Sequence, residues 1–242
     1  MIPRPSGVGI AVASLLAIGS VCFAAESDST YAPGMGGVGG MIGGSHFAAD
    51  ADYSDGAQPR FAFSADFRYA VNDWLRWQLS PGFSWAAYQN DTRAPFRDIN
   101  FPADSTKDEY LTLLLPASIQ VQVLLRRGLW VYHVGAGPGA YRVWVQSRRK
   151  VLKDPATFDL HRGVYPGVTA QIGAERFMRA IRRTSVEFSL VGHLVFAQRD
   201  EQFPSGFNSN LLAVEARVGA HYYFDLTRGS ASRGSPAAGR AP

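Results

Sequence analysis

Ser189, His193 and Glu187 are the residues whose types could perform acyl transfer, because a serine activated by a histidine with an acidic partner is a common nucleophile. They lie in the segment TSVEFSLVGHLVF, which alternates between apolar and polar residues. In an extended strand, residues four apart are separated by roughly 13 Å, which is too far for a hydrogen bond. The spacing therefore favours a chain that is not an enzyme. A lipid A-modifying enzyme with its catalytic residues in loops remains an alternative.

Two other patterns could carry chemistry. GMGGVG, residues 34–39, matches the glycine spacing of dinucleotide loops, but no strand precedes it and no helical pattern follows it. It is better explained as a glycine-rich strand. The five histidines have no metal-ligand spacing such as H-E-x-x-H: His46, His133, His161, His193 and His221. We therefore expect neither a cofactor nor a metal.

Composition narrows the class of protein. The chain has 242 residues, of which 46% are hydrophobic and 18% charged, so wholesale disorder is excluded. Its 24 basic and 20 acidic residues are scattered along the sequence. This distribution does not indicate a nucleic-acid partner.

The first 25 residues have the features of a signal peptide. Arg4 precedes an apolar run from Val8 to Phe23, and small residues follow before a polar segment. We predict a signal peptide over 1–25 and a short N-terminal leader over 26–33. The single cysteine, Cys22, lies within this signal peptide, so the exported chain cannot form disulfides.

Beyond the leader, the chain alternates with a period of two. In NLLAVEARVGAHYYF, residues 210–224, one parity is wholly apolar, whereas the other contains Glu215, Arg217 and His221. Such alternation predicts strands with one apolar and one polar face. Seven strands follow directly, at about 60–71, 74–89, 109–125, 129–145, 163–177, 184–197 and 210–224.

Strand and loop lengths distinguish a membrane barrel from a soluble sandwich. The strands alternate for ten to fifteen residues, whereas sandwich strands typically have five or six. Short turns at 72–73 and 126–128 and a fairly short connection at 178–183 contrast with long polar loops at 90–108, 146–162 and 198–209. This asymmetry, with aromatic residues near both strand ends, is typical of outer-membrane barrels. The apolar faces would then point outward into lipid.

Strand counting predicts an all-β architecture. The strand before the short turn at 72–73 runs towards the periplasm, so it needs an upward partner, and only residues 34–53 can supply one. The prediction is an eight-stranded antiparallel transmembrane β-barrel over 34–224, an up-and-down meander with both termini periplasmic.

This layout resembles the OmpA-type and OmpX-type small outer-membrane β-barrels, also called the porin family, over residues 34–224. The most specific shared element is the aromatic end of the last strand, where Tyr222, Tyr223 and Phe224 look like the signal read by the barrel assembly machinery. The resemblance implies a monomeric protein of the Gram-negative outer membrane, with periplasmic chaperones, lipid and lipopolysaccharide as partners. Unlike full-length OmpA-type proteins, the chain ends in a tail over 225–242, predicted to be disordered, that is too short for a peptidoglycan-binding domain.

The inward-facing polar residues predict a network that fills the lumen. Its members are Asp66, Arg68, Arg76, Gln78, Gln120, Gln122, Glu175, Glu187, His193, Glu215 and Arg217. Asp66 and Arg76, on either side of the turn at 72–73, are the first predicted pair. In the fifth strand, the glycines of GAGPG, residues 135–139, predict a kink or bulge, beyond which the facing of residues 141–144 is open.

The third long loop predicts a contact with lipopolysaccharide. Arg148, Arg149, Lys150 and Lys153 give it a basic character, and phosphates are the natural counter-charge at the outer leaflet. Replacing Arg148, Arg149 and Lys150 by serine should lower lipopolysaccharide retention during purification, and unchanged retention would argue for a merely solvated loop. A structural or narrow-pore role is the favoured function, and ligand binding or adhesion by the long loops is an alternative.

Overall fold

The computed structural model describes residues 31–49, 57–88, 110–147, 150–151, 153, 157–198 and 209–226. The predicted signal peptide, most of the leader and of the C-terminal tail, and both Arg148 and Arg149 lie outside the described residues.

The described part of the chain forms eight long strands, whose lengths of 11 to 18 residues follow from the long alternating segments. Their bounds are β1 Met35–Ala49, β2 Arg60–Ala70, β3 Leu75–Tyr88, β4 Tyr110–Arg127, β5 Trp130–Ser147, β6 Arg162–Phe177, β7 Thr184–Val195 and β8 Leu211–Asp225. Two further strands of two residues each, Ala57–Gln58 and Lys150–Val151, extend the sheet beside β3 and β5.

The eight strands close into an antiparallel barrel. Each strand pairs with the next in the sequence, and β1 also pairs with β8. Because Met35 lies opposite Asp225, the beginning of β1 and the end of β8 meet at one end of the barrel. The predicted eight-stranded antiparallel meander is confirmed, and the first strand lies within the residues predicted for it.

Strand register sets the width and tilt of this barrel. Following paired residues once around the sheet from Gly36 leads back to β1 at His46, ten positions further along the strand. A stagger of roughly 33 Å around a circumference of roughly 38 Å corresponds to strands tilted by about 40°. A barrel of this size has room for side chains but not for a wide channel.

The two ends of the barrel differ. At the turn end, where β1 begins and β8 finishes, the connections are residues 71–74, 128–129 and 178–183. At the loop end, the connections are 50–59, 89–109, 148–161 and 196–210. Short and long connections therefore segregate to opposite ends, as the sequence predicts.

Between the two ends of the barrel, the outer face is apolar around its circumference. Phe188, Ile172 and Val134 are 56–59% exposed, although their side chains are entirely hydrocarbon. Their neighbours one position away, such as Glu187 and His133, are buried inside. No helix in the described residues is long and apolar enough to span a membrane.

Of the predicted kink or bulge at residues 135–139, the bulge is absent. The pairing of β5 with β6 runs without a shift from Trp130 opposite Arg176 to Trp144 opposite Arg162. The apparent change in pattern arises because the inward residues Tyr141, Val143 and Val145 become apolar at the loop end. Gly137 instead allows β4 to approach, since a Cβ there would lie 2.9 Å from Gln120 Cα.

Candidate functional site

The lumen holds the polar side chains of the barrel. The structure places all eleven predicted network residues there, and each is buried: Asp66, Arg68, Arg76, Gln78, Gln120, Gln122, Glu175, Glu187, His193, Glu215 and Arg217. They form two clusters, and Gln120 joins neither, because its side-chain oxygen has no hydrogen-bond partner.

The larger cluster, which we call the central network, is built around two guanidinium groups. Arg76 Nη1 donates to Glu175 Oε2 at 2.7 Å, and Arg68 Nη2 lies 2.6 Å from Glu187 Oε2. Tyr223 Oη donates to Glu175 Oε1 at 2.6 Å and accepts from Arg76 at 2.9 Å. Arg68 also reaches Glu175 at 3.4 Å. A single phenol thus links both arginines with the acid that they share.

The predicted pair of Asp66 with Arg76 does not form. Register places Arg76 opposite Ala70, so Asp66 lies four residues further along β2, at a distance of roughly 13 Å along the strand. The guanidinium of Arg76 instead crosses the lumen to Glu175 on β6. Because the strands of the closed barrel are staggered, Glu175 across the lumen is nearer to Arg76 than Asp66 on the neighbouring strand is.

A chain of amides extends the central network along the lumen. Arg68 Nε donates to Gln78 Oε1 at 2.9 Å, and Arg76 Nε donates to Gln122 Oε1 at 2.8 Å. Gln122 Nε2 donates to the same Gln78 oxygen at 2.9 Å. Gln171 continues the chain by donating to Glu187 Oε1 at 3.1 Å. Each amide offers both a donor and an acceptor, and this allows the buried charges to be solvated without water.

His221 separates two carboxylates in this network. Its Nε2 lies 3.1 Å from Asp66 Oδ2, and its Nδ1 lies 3.7 Å from Glu187 Oε2. Ser80 Oγ donates to the other oxygen of Asp66 at 2.8 Å. The histidine therefore connects β2, β7 and β8 across the interior.

The second cluster lies nearer the loop end. Arg217 forms an ion pair with Glu215 and contacts His193 Nε2 at 3.3 Å. The other nitrogen of His193 contacts the Tyr141 hydroxyl at 3.3 Å. Ser189 Oγ is buried without a hydrogen-bond partner. The histidine thus interacts with arginine and tyrosine, and it does not form the serine–histidine contact that acyl transfer requires.

Glu175, Glu187 and His221 offer ligand atoms within 4.8 Å of one another, a grouping that could in principle hold a metal ion. Both carboxylates are, however, already paired with guanidinium groups at 2.6 and 2.7 Å. Because two fixed positive charges occupy the positions next to these oxygens, the grouping fits an ion-pair network better than a cation site.

Apolar clusters close the lumen at both ends, a feature that sequence patterning missed. At the loop end, the largest members are Phe47, Leu114, Tyr141, Tyr165 and Leu211. At the turn end, they are Tyr31, Met35, Leu124, Phe177 and Tyr223. These residues share the inward parity of the charged ones, so the lumen has a polar middle between two apolar layers.

Tyr31, which precedes β1, completes the turn-end layer. Its ring packs edge-on against Tyr223 at 5.6 Å and against Phe177 at 6.1 Å. The guanidinium of Arg126 lies 5.3 Å from the ring centre on the outer side. Burial raises the pKa of Tyr31 to about 12, so the phenol remains neutral at physiological pH. Tyr31, a residue of the predicted leader, therefore helps to close the turn end of the barrel.

The residues predicted to signal assembly or to contact lipopolysaccharide differ in burial and in the direction that they face. Tyr222 points outward and is half exposed, whereas Tyr223 belongs to the central network. Lys150 lies in a two-residue strand and Lys153 is exposed opposite Leu160. Phe224, the last aromatic residue of β8, is partly buried.

The central network also contains four residues outside the predicted lumen network: His221, Tyr223, Gln171 and His133. Parity alone could have identified all four, since each shares the inward face of its strand. The sequence predicts Tyr223 as part of an aromatic terminal signal, although it shares the parity of Glu215 and Arg217.

No protein-family model matches the chain, and no curated protein matches it. Among solved structures, outer membrane protein AlkL in lipid bilayers is 16% identical, with 86% of this chain and 98% of that chain covered and a TM-score of 0.45. Neisserial surface protein A is 12% identical, with 80% and 99% covered and a TM-score of 0.44.

The N-terminal β-barrel domain of Pseudomonas aeruginosa OprF is 11% identical, with 80% of this chain and 100% of that chain covered and a TM-score of 0.43. These similar structures are small eight-stranded outer-membrane β-barrels. At such identities and scores, the likeness says nothing about ligand or activity.

Proposed function

We propose that this chain is an integral protein of the Gram-negative outer membrane. An apolar belt around the outside of a barrel with polar residues inside is the inverse of a soluble protein, and such a belt is stable in lipid. Trp77, Trp130, Tyr132 and Tyr222 are exposed near the turn end, and Phe196 near the loop end, as interfacial aromatic residues would be. The short turns would face the periplasm and the long loops the exterior.

Within that membrane, the barrel is a closed structural element. The observation that carries this conclusion is the complete burial of Arg76 inside the lumen, where its guanidinium pairs with Glu175 on β6. Apolar layers at both ends add two barriers to ions. A barrel filled in this way supports exposed loops and does not provide a path for solutes.

Membrane insertion is tested by gel mobility. The protein purified from bacterial membranes should migrate faster without boiling than after boiling, and it should give a β-rich circular dichroism spectrum in detergent. Both results are expected because the closed sheet pairs every strand and resists unfolding by detergent. A chain that stays soluble and folded without detergent would contradict an outer-membrane location.

Closure of the lumen is tested by conductance in planar bilayers. The unaltered protein should show little or no steady current, because the central network and both apolar layers block the lumen. Arg217→Ala or Arg76→Ala should increase conductance or impair folding, since each leaves a buried carboxylate without its cation. Arg142→Ala, on the exposed outer face, is the matched control and should change neither. Large, stable current steps from the unaltered protein would instead indicate a diffusion channel.

A further inference from the structure

Four exposed arginines lie at the turn end, on the side of the barrel formed by β4 to β7. Arg127 ends β4, Arg176 lies one residue before the end of β6, and Arg179 and Arg182 belong to the connection between β6 and β7. We call these four residues the arginine sector. Arg176, Arg179 and Arg182 come from one segment, and the pairing of β4 with β5 and of β5 with β6 brings Arg127 to the same side.

Strand register gathers part of the sector around one tryptophan. Trp130 on β5 lies opposite Arg127 on one side and opposite Arg176 on the other. The guanidinium of Arg176 lies 5.5 Å from the centre of the Trp130 ring. Tyr132 stacks on the same ring with a centroid separation of 6.1 Å. The outer wall thus presents aromatic rings directly beside positive charge.

The sector has no counter-charge in the described part of the chain. Two neighbouring arginines at the same end do have partners: Arg126 lies 3.2 Å from Asp73, and Arg183 lies 2.7 Å from Asp225. Exposed Asp73 and partly buried Asp225 are the acids outside the lumen at this end among the described residues, and both are already paired. Four positive charges of the sector therefore face outward without an acidic side chain.

The surroundings of the sector match the boundary between lipid and water. Exposed Ile181 lies between Arg179 and Arg182 in the sequence, so the connection alternates apolar and basic residues. Trp and Tyr concentrate where acyl chains meet headgroups. A guanidinium binds phosphate oxygens through paired hydrogen bonds. Each arginine near anionic lipid headgroups raises the affinity for those lipids by roughly fivefold.

We propose that the arginine sector binds the phosphate groups of anionic phospholipids in the leaflet at the turn end. This inference rests on the proposed membrane location. It adds a preference for anionic lipids on one side of the barrel. A basic surface that is only solvated by water would show no such preference.

Native mass spectrometry tests the preference. The protein purified from bacterial membranes in a neutral detergent is titrated with phosphatidylglycerol or phosphatidylcholine, and the apparent Kd of the first bound lipid is compared. Phosphatidylglycerol should bind at least roughly 25-fold more tightly, which corresponds to about fivefold for each of two or more arginines. The variant R127Q/R176Q/R179Q/R182Q should bind both lipids about equally. Persistence of the preference in this variant would overturn the proposal.

A matched pair of variants separates the sector from net charge. R127Q/R179Q removes two unpaired arginines, whereas R126Q/R183Q removes the two acid-paired arginines from the same end. Only the first variant should weaken phosphatidylglycerol binding, by roughly tenfold or more, and equal losses in both would overturn the proposal. Gel mobility on heating confirms that each variant remains folded.

Two further outcomes are informative even if a variant does not assemble. High salt should weaken phosphatidylglycerol binding by the unaltered protein while leaving phosphatidylcholine binding unchanged, and the absence of such an effect would overturn the proposal. A protein that inserts normally but binds both lipids equally would overturn this inference alone. A protein that does not insert into membranes would also overturn the proposed location.

Discussion

Replacing Arg76 by alanine should lower the free energy of unfolding by about 3–5 kcal/mol. Arg76 is completely buried, and its guanidinium contacts Glu175, Gln122 and Tyr223. Its removal would leave the Glu175 carboxylate with only the more distant Arg68, at 3.4 Å, as a cation. Urea-dependent folding into lipid vesicles, followed by gel mobility, measures the change.

A double variant distinguishes the lost ion pair from lost packing. R76M/E175Q removes both charges while keeping comparable side-chain volume, so it should recover most of the stability that Arg76→Ala loses. The glutamine can still accept the hydrogen bonds from Tyr223 and Ser185. A loss below about 1 kcal/mol for Arg76→Ala would show that water enters the lumen and solvates Glu175.

Replacing Gly39 by alanine should prevent assembly of the barrel. Gly39 lies on the inner face of β1 opposite His221, and a Cβ there would overlap the imidazole ring and lie 2.5 Å from the carbonyl oxygen of Ala220. Neither group can move easily, because His221 is held by Asp66 and Ala220 belongs to the β8 backbone. Overpacking costs about 1–3 kcal/mol where side chains can adjust and more where backbone blocks them.

Gly40→Ala provides the matched control. Gly40 is the next residue, with the same intrinsic strand propensity, but its Cβ would meet only the carbonyl oxygen of Ser64 at 3.8 Å. This variant should assemble as the unaltered protein does. The fraction of heat-modifiable protein in isolated outer membranes measures both variants. Equal assembly of the two would contradict the close packing of β1 against His221.

The alternation in the sequence predicts seven of the eight strands and, apart from residues 141–144, the faces of those seven. In β8, the apolar parity from Leu212 to Phe224 faces outward, and Glu215, Arg217 and His221 face inward. Period two carries this information because successive side chains of a strand point to opposite faces. The segregation of short and long connections was likewise evident, and it determined that neighbouring strands run antiparallel.

Alternation alone could not show whether an apolar residue faces lipid or an apolar part of the lumen. Tyr141, Val143 and Val145 follow the glycines of β5 on the inward face, and their apolar character resembled a slip in register. An apolar side chain is compatible with lipid and with a packed interior alike. Only the unbroken pairing of β5 with β6 establishes that these residues close the loop end.

The pairing of individual charges was decided by the tertiary structure alone. The sequence placed Asp66 near Arg76 across a turn, but the closed barrel joins Arg76 to Glu175, ninety-nine residues away. The stagger of ten residues around the sheet sets which side chains share a level in the lumen. Stagger is a property of all eight strands together, so no single segment of sequence contains it. The pairing of consecutive strands also brings Arg127 on β4 next to the segment that carries Arg176, Arg179 and Arg182, on one side of the turn end.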